Sequence, residues 1–452
     1  MLLLAVPTEV VQKLMYNPMM TLDGFAKKKE IFDAAKQLPL NYADRVKPSM
    51  YNYIEKGKGL HAICNTLYCS MALLNDEELA VLEKRQQGEE KLLREFYAAG
   101  FFVPEDVDEF SKLQAYKKVY RKFVVNESGL GLTIATTTKC NARCAYCFES
   151  SADRADMAPG VEEQIIEFVD NHIGENKELD ITWFGGEPLL NTGLIDRLSS
   201  YFLAKEYKLN TRIVTNGSLL TEKMLKESFP KWHIRNMQVT LDGTAENYAR
   251  IKNYLAPELG NLDRVLKNID LAGENKIKVS IRLNVNKENI EDLLILAEQL
   301  EKRYRGSKYV SWYASPLVGT EADYVTDEEL IGMMERFAKL HPGQLKDWKM
   351  RSLPRVEYCM AEMPSGYCFD VNGDIKICWE DFTFSGNAIG NIKDFDPKTD
   401  KRNEQSQLQP KCEKCVWLPQ CGGGCIARRS KGNYACQFGR LKIISQLRKM
   451  IK

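Results

Sequence analysis

The chain has 452 residues, with 63 Lys+Arg against 62 Asp+Glu and 44% hydrophobic residues, which suits two or three domains of ordinary globular type. The even charge balance gives no global electrostatic reason to expect nucleic acid or an anionic membrane as partner. The opening MLLLAVPTEVVQKL lacks a basic n-region and a small-residue cleavage site, and no stretch reaches the roughly 20 apolar residues of a membrane span, so the expected location is the cytoplasm.

Residues 1–125 read as a small α+β module. MYNYIE and HAICNTLYCSMALL look like strands, NDEELAVLEK and GEEKLLREFYAAG look like helices, and AAG-FFVP suggests a helix stop followed by a short strand. Cys64 and Cys69 fall in the second strand run and read as buried free thiols, with a redox or regulatory role as the alternative.

From Leu130 the sequence alternates short apolar runs with amphipathic ones. The strand runs are LGLTIAT (130–136), LDITWF (179–184), TRIVT (211–215), MQVTL (237–241), KVSIRLNV (278–285) and KYVSWYA (308–314). Helical runs such as VEEQIIEFVDNHI, NTGLIDRLSSYFLAKEY, TEKMLKESF, LDRVLKNIDLAGE and NIEDLLILAEQLEKRY separate them, and TDEELIGMMERFAKL follows the last. Six β–α units predict an α/β fold over residues 126–345, a partial (β/α)6 barrel open on one side. By analogy with the full TIM barrel, its active site belongs at the C-terminal strand ends.

Residues 346–452 are rich in Cys, Gly and short polar links, a composition that normally needs metal staples. GYCFDV-NG-DIKICWE predicts a hairpin with Asn372-Gly373 as a two-residue turn.

Cysteine is the informative residue. There are 13, in clusters, against only four His (His61, His172, His233, His341), none near another. All-thiolate ligation is therefore better supplied than a mixed Cys/His zinc site. Cys140, Cys144 and Cys147 form C-x3-C-x2-C directly after the first barrel strand. Three thiolates suit a [4Fe-4S] cluster with one iron left open for a chelating ligand; a zinc site or a redox pair is the other reading.

This motif, with Tyr146 at the aromatic place, resembles the C-x3-C-x-aromatic-C motif of the radical S-adenosylmethionine (SAM) superfamily. In that family the open iron chelates the amino and carboxylate groups of SAM. The resemblance continues along the barrel. Gly185-Gly186-Glu187-Pro188 matches the family's GGEP motif, which holds the SAM amino group, the glycines letting backbone approach the ligand and Glu187 offering a carboxylate. Thr215-Asn216-Gly217 ends the third strand, and Thr240-Leu241-Asp242-Gly243 ends the fourth, where relatives have Ser-Leu-Asp-Gly. Arg250 is a candidate for the SAM carboxylate, and Arg282-Leu283-Asn284 on the fifth strand is another familiar pattern. The resemblance thus implies Tyr146, Gly185, Gly186, Glu187, Asn216, Thr240, Asp242, Arg250 and Arg282 as cofactor contacts.

A second set, Cys412-x2-Cys415-x5-Cys421-x3-Cys425 followed by Cys436, lies downstream of Cys359, Cys368 and Cys378. Cys359-x13-Gly373-x4-Cys378 together with this run resembles the SPASM domain of peptide-modifying radical SAM enzymes. The resemblance implies two auxiliary [4Fe-4S] clusters, hence three in all. Cys359, Cys378 and Cys425 would hold the first; Cys412, Cys415, Cys421 and Cys436 would hold the second. Cys368 is outside the family's seven-Cys pattern and is either the fourth ligand of the first cluster or a core residue, in which case that cluster keeps an open iron. Two four-Cys zinc sites are the alternative for the whole set.

The chemistry implied is reductive cleavage of SAM to methionine and a 5′-deoxyadenosyl radical that abstracts hydrogen from an unactivated carbon. The substrate implied is a precursor peptide with a leader, made ribosomally, and the reaction a Cys thioether cross-link. The order of strands then helices in residues 1–125 looks like the leader-recognition element of such maturases, which would bind by strand addition. An electron donor such as flavodoxin or ferredoxin is the other expected partner. Sulfatase maturation to formylglycine is a second reading, weakened because Trp379 follows Cys378 and the carboxylates Glu380 and Asp381 come only after it. A metal-bearing peptide-binding protein without catalysis is a third.

Overall fold

The computed structural model describes residues 45–84, 90–124, 129–150, 153–317, 326–341, 354–355, 359–382, 388–400, 408–426, 429 and 439–451. Two compact units emerge, and they cut across the three segments expected along the chain. One joins residues 1–126, 345–357 and 406–452; the other joins 127–344 and 358–405.

In the first unit a short strand β1 (Val46–Pro48) pairs antiparallel with β5 (Phe102–Pro104). The strands β2 (Asn52–Lys56), β3 (His61–Asn65) and β4 (Ser70–Leu74) form an antiparallel meander. HAICNTLYCSMALL is thus two strands rather than one. Asn65, fully buried, makes the break: its Oδ1 accepts from the amides of Leu67 and Tyr68 at 3.0 and 2.8 Å, turning the chain. Helices α1 (Asp76–Lys84), α2 (Glu90–Ala98) and α3 (Glu109–Val124) follow. Asn75 and Glu78 exchange hydrogen bonds at the start of α1, a capping box. All five residues of β3 are buried because both its faces are covered. Ile63 packs with Leu79, Leu82 and Phe96 of α1 and α2. Ala62 and Cys64 pack with Ile443 and Leu447 of the C-terminal helix Gly439–Met450.

The second unit is a nine-stranded sheet ordered β11-β10-β9-β8-β7-β6-β12-β13-β14. Its six barrel strands are parallel: β6 (Leu130–Thr137), β7 (Glu178–Gly185), β8 (Lys208–Thr215), β9 (Ile234–Leu241), β10 (Lys278–Val285) and β11 (Val310–Pro316). The connecting helices include α4 (Val161–His172), α5 (Thr192–Ala204), α6 (Ala245–Lys252), α7 (Leu262–Glu274) and α8 (Ile290–Tyr304), with α9 (Asp327–Leu340) after β11. This is the expected open α/β barrel core. TEKMLKESF is the irregular crossover, a single π turn over Met224–Ser228 before a short helix, where Pro230 has no N–H to continue the ordinary pattern.

The sheet does not end at β6. Strand β12 (Gly366–Phe369) adds to it in parallel, pairing Gly366 with Gly131 through Phe369 with Ile134. The hairpin partner β13 (Asp374–Lys376) and then β14 (Ala388–Asn391) extend it antiparallel. The hairpin loop is longer than a two-residue turn. The Asp370 carboxylate accepts from the amides of Asn372 and Asp374, both at 2.9 Å, and Gly373 takes a φ of 80°. This Asx-type loop needs glycine one position later than a tight NG turn would. Strand alternation then sets the faces of β12. Tyr367 and Phe369 meet Phe168 of α4 edge-on at 5.1 and 5.2 Å. Cys368, between them, turns to the other face and packs with Ala135 and Phe184.

Candidate functional site

The loop carrying Cys140, Cys144 and Cys147 leaves the C-terminal end of β6 and is held from two sides. Residues 251–255 run beside it: Arg143 N–H donates to Lys252 O at 2.9 Å, Ala145 N–H to Ile251 O at 3.3 Å, and Leu255 N–H to Asn141 O at 2.9 Å. Residues 154–156 brace its stem through Arg154 on Thr138 O at 2.7 Å and a Lys139–Asp156 ion pair at 2.6 Å. All three thiols are half-buried. Burial pushes the Cys140 thiol up to about 12, with the Glu187 charge adding to it, and burial raises Cys144 and Cys147 as well. A thiolate here needs a compensating positive centre, which suits cluster iron. Among the described residues no three His, Cys, Asp or Glu side chains are grouped to hold a single metal ion, whereas a cluster takes each thiolate on a separate iron.

The Gly-Gly-Glu-Pro turn faces this loop. Gly186 N–H donates to Thr137 O and Glu187 N–H to Lys139 O, both at 2.9 Å. A Cβ on Gly185 would lie 2.1 Å from Thr137 O, and one on Gly186 only 2.4 Å from Lys139 O. The two glycines therefore admit the stem of the cysteine loop. Glu187 is fully buried and already engaged. It accepts from Thr215 Oγ1 at 2.7 Å, Asn216 N–H at 2.8 Å and Leu189 N–H at 3.1 Å. Burial raises its pKa while these donors oppose the rise. Its visible work is to tie the ends of β7 and β8 together. Asn216 continues the lacing, donating to Asn141 Oδ1 at 2.8 Å.

Asp242 anchors the other side. Tyr146 donates its hydroxyl to the Asp242 carboxylate at 2.8 Å, Lys252 pairs with the same group at 2.9 Å, and Lys252 also donates to the Tyr146 oxygen at 3.2 Å. Both charged side chains are buried, at 4% and 0% exposure. Burial alone would lower the Lys252 pKa, but Asp242, then Tyr146 and Cys144, hold it well above the usual lysine value. Burial is also the main cause holding the Tyr146 phenol well above its ordinary pKa.

The resemblance names Arg250 as a candidate for the SAM carboxylate. The structure leaves Arg250 exposed, bonded to Asn247 at 3.0 Å on its own helix, and turns Lys252 inward instead. The available signal was the spacing of Tyr248 and Lys252, four apart on α6 and both buried. Arg282 lies on β10 between Thr240 of β9 and Tyr313 of β11. Its Nε is buried with no hydrogen-bond partner among the described residues.

Of the later cysteines, Cys359 is exposed and Cys378 half-buried, while Cys368 is fully buried in the apolar cluster of Ala135, Phe184, Val371 and Phe382. Those are the surroundings of a core residue. Phe148, next to Cys147, and Trp379, next to Cys378, both stack with the Phe184 ring, at 6.3 and 5.7 Å. In the other unit Cys412, Cys415, Cys421 and Cys425 are all half-buried. Cys436 lies outside the described residues.

Residues 134–300 match the radical SAM superfamily, a span that contains the cysteine loop, the GGEP turn and the Asp242–Lys252 pair. Among curated relatives, the chain is 24% identical over 258 residues to the radical SAM cyclopropyl synthase TigE of Paramaledivibacter caminithermalis, covering 53% of this chain and 50% of that one. It is 31% identical over 173 residues to the GTP 3′,8-cyclase of Clostridium perfringens, covering 37% and 51%. The chain thus spans about half the length of these relatives. Among solved structures, native anSMEcpe with bound AdoMet and Kp18Cys peptide superposes with a TM-score of 0.57 at 19% identity, covering 72% of this chain and 98% of that one; this likeness is one of fold. The barrel is of the radical SAM type. By this match residues 134–300 are a radical SAM domain, a family that implies a [4Fe-4S] cluster and SAM as cofactors.

No helix among the described residues is long and apolar enough to cross a membrane.

Proposed function

We propose that this chain is a radical SAM peptide maturase that forms a Cys thioether cross-link in a ribosomally made precursor and uses three [4Fe-4S] clusters to do so. The observation that carries the reading is the bracing of the Cys140–Cys147 loop by the GGEP turn and by residues 251–255, at the C-terminal mouth of an open barrel. The cofactors, when bound, supply the electron and the 5′-deoxyadenosyl radical for hydrogen abstraction. The chain's own residues do the rest. Cys140, Cys144 and Cys147 hold the first cluster. Tyr146, fixed by Asp242 and Lys252, sets the course of the loop beside the SAM site. Arg282 offers a cation to a carboxylate, and Thr240 lies beside it in the adjacent strand. Cys359, Cys378 and Cys425, with Cys412, Cys415, Cys421 and Cys436, serve the auxiliary clusters of a SPASM-type region.

Peptide as the substrate class is supported by the fold shared with anSMEcpe, a protein solved with a peptide bound. A second support is the β2-β3-β4 sheet, in which β2 and β4 are the outer strands and either edge offers backbone to an extended leader. Flavodoxin or ferredoxin fits the role of electron donor. The formylglycine reading keeps one observation in its favour: the carboxylate of Asp381, 1% exposed, lies in the short turn whose Asp381 N–H donates to Cys378 O at 2.9 Å.

The test is anaerobic incubation of reduced, reconstituted protein with SAM and a short Cys-containing peptide encoded beside it. Loss of hydrogen mass from the peptide, with deoxyadenosine formed, is the expected result. Conversion of a sulfatase-derived Cys peptide to formylglycine instead would move the assignment to the second reading.

A further inference from the structure

The segment containing Cys412–Cys425 has no core of its own. Leu418 is buried among Tyr51, Leu67, Tyr68 and Leu113, and Cys412 and Cys415 pack against the same cluster. The residues between Cys415 and Cys421 are fastened one after another to the β3–β4 turn and its neighbours. Val416 O accepts from Thr66 Oγ1, and the Trp417 ring lies 4.5 Å from that of Tyr53. Gln420, 6% exposed, donates to Thr66 O at 2.9 Å and reaches Cys69 Sγ at 3.2 Å. On the far side of the segment, Arg448 pairs with Glu55 at 2.9 Å.

Tyr51 stands at the centre of this contact. The residue is 0% exposed, and its main chain is satisfied: the amide donates to Ser49 Oγ at 3.2 Å and the carbonyl accepts from Thr66 N–H at 3.0 Å. Its hydroxyl is buried with no hydrogen-bond partner among the described residues. Buried polar groups are rarely left unpaired. A phenol hydroxyl is a donor at neutral pH, and Cys415 packs against the cluster that holds Tyr51.

We propose that residues 45–124 form the outer wall of the metal site at Cys412 and Cys415, and that Tyr51 is a positioning residue whose hydroxyl donates to the Cys415 sulfur when that sulfur ligates iron. The inference rests on the reading of these cysteines as iron–sulfur ligands. A hydrogen bond to a cluster thiolate stabilises the reduced, more negative state and raises the potential. It also makes loading of the C-terminal cysteines and ordering of the N-terminal module one coupled event. Removing residues 1–120 then strips the wall from Cys412 and Cys415, so a truncation cannot isolate leader binding from cluster integrity.

The experiment uses the full chain, reconstituted anaerobically in a Cys140/Cys144/Cys147→Ala background so that the remaining iron reports only the later cysteines. Redox titration followed by electron paramagnetic resonance compares Tyr51→Phe with its parent and with Tyr53→Phe, whose hydroxyl bonds Glu55 at 2.9 Å. Tyr51→Phe is expected to keep its iron, to shift one reduced-cluster signal and to lower its midpoint potential, while Tyr53→Phe leaves both unchanged. In parallel, hydrogen exchange of residues 61–74 should slow on iron loading of the parent and not of a Cys412→Ala/Cys415→Ala variant. Identical potentials and spectra for Tyr51→Phe, with exchange indifferent to loading, would overturn the proposal. A parent that binds no iron would overturn the cluster reading itself, and this inference with it.

Discussion

Replacing Lys252 with Met is expected to cost about 3–5 kcal/mol, because it leaves the buried Asp242 carboxylate without its cation. The pair is 2.9 Å apart at 4% and 0% exposure, so water cannot take over the lost charge. What remains for Asp242 is the Tyr146 hydroxyl at 2.8 Å and Asn284 Nδ2 at 3.3 Å, both neutral donors. In a unit of this size each kcal/mol moves the melting temperature roughly 2–4 °C, so a fall of about 6–20 °C is expected for the apoprotein at a fixed scan rate. The effect should not stop at stability. The backbone of residue 252 accepts from Arg143 N–H at 2.9 Å, so loosening its side chain loosens the cysteine loop. Adding Asp242→Asn to Lys252→Met should restore part of the loss, since the stranded charge is then gone. A melting temperature within about 1 °C of the parent for Lys252→Met would show that the pair contributes little.

Gly186→Ala should be nearly as damaging, for a different reason. The added methyl would lie 2.4 Å from Lys139 O and 2.6 Å from Thr138 O. Both are backbone atoms next to Cys140 and cannot swing aside like a flexible side chain. The stem of the loop must move, and with it the ligand geometry, so the variant is expected to lose about four iron on reconstitution and to fail in SAM cleavage. Gly193→Ala is the control. Its methyl would meet only the end of the Arg197 side chain at 3.3 Å, near the start of α5, and should be neutral or slightly stabilising. Equal iron content in the two variants would mean that the close approach of the GGEP turn does not position the cysteines.

The parts of the fold legible in the sequence are those written in local pattern. Leu262–Glu274 and Lys278–Val285 fall where their periodicity places them, because an amphipathic helix and a buried parallel strand each bury a face fixed by spacing alone. Cysteine spacing is equally local, so the first loop could be read without knowing the fold. What escaped depends on distant residues meeting. The resemblance turns the glycines of GGEP toward a ligand; it does not show that their tightest protein neighbours are Thr137 and Lys139, some 50 residues earlier. Lys252 follows a helix face that reads as solvated until Asp242 and Tyr146 are seen beneath it. Likewise nothing in GYCF announces that it pairs with β6, more than 200 residues away, and nothing in the tail announces that Leu418 and Ile443 pack against residues of the N-terminal module. In the sequence Cys368 fits either a ligand or a core residue; alternation along β12, with Tyr367 and Phe369 claimed by Phe168, puts it among apolar side chains.

The central claim is that the cysteine loop on β6 carries a SAM-cleaving cluster and that the later cysteines carry two more. Anaerobic iron and sulfide analysis, joined to a reduced SAM-cleavage assay, tests it on the native chain and on a Cys140/Cys144/Cys147→Ala variant. About twelve iron in the native chain, about eight in the variant, and deoxyadenosine from the native chain alone is the result this account predicts. Zinc in place of iron, or no deoxyadenosine under any reductant, would contradict it and leave a metal-bearing binding protein as the better description.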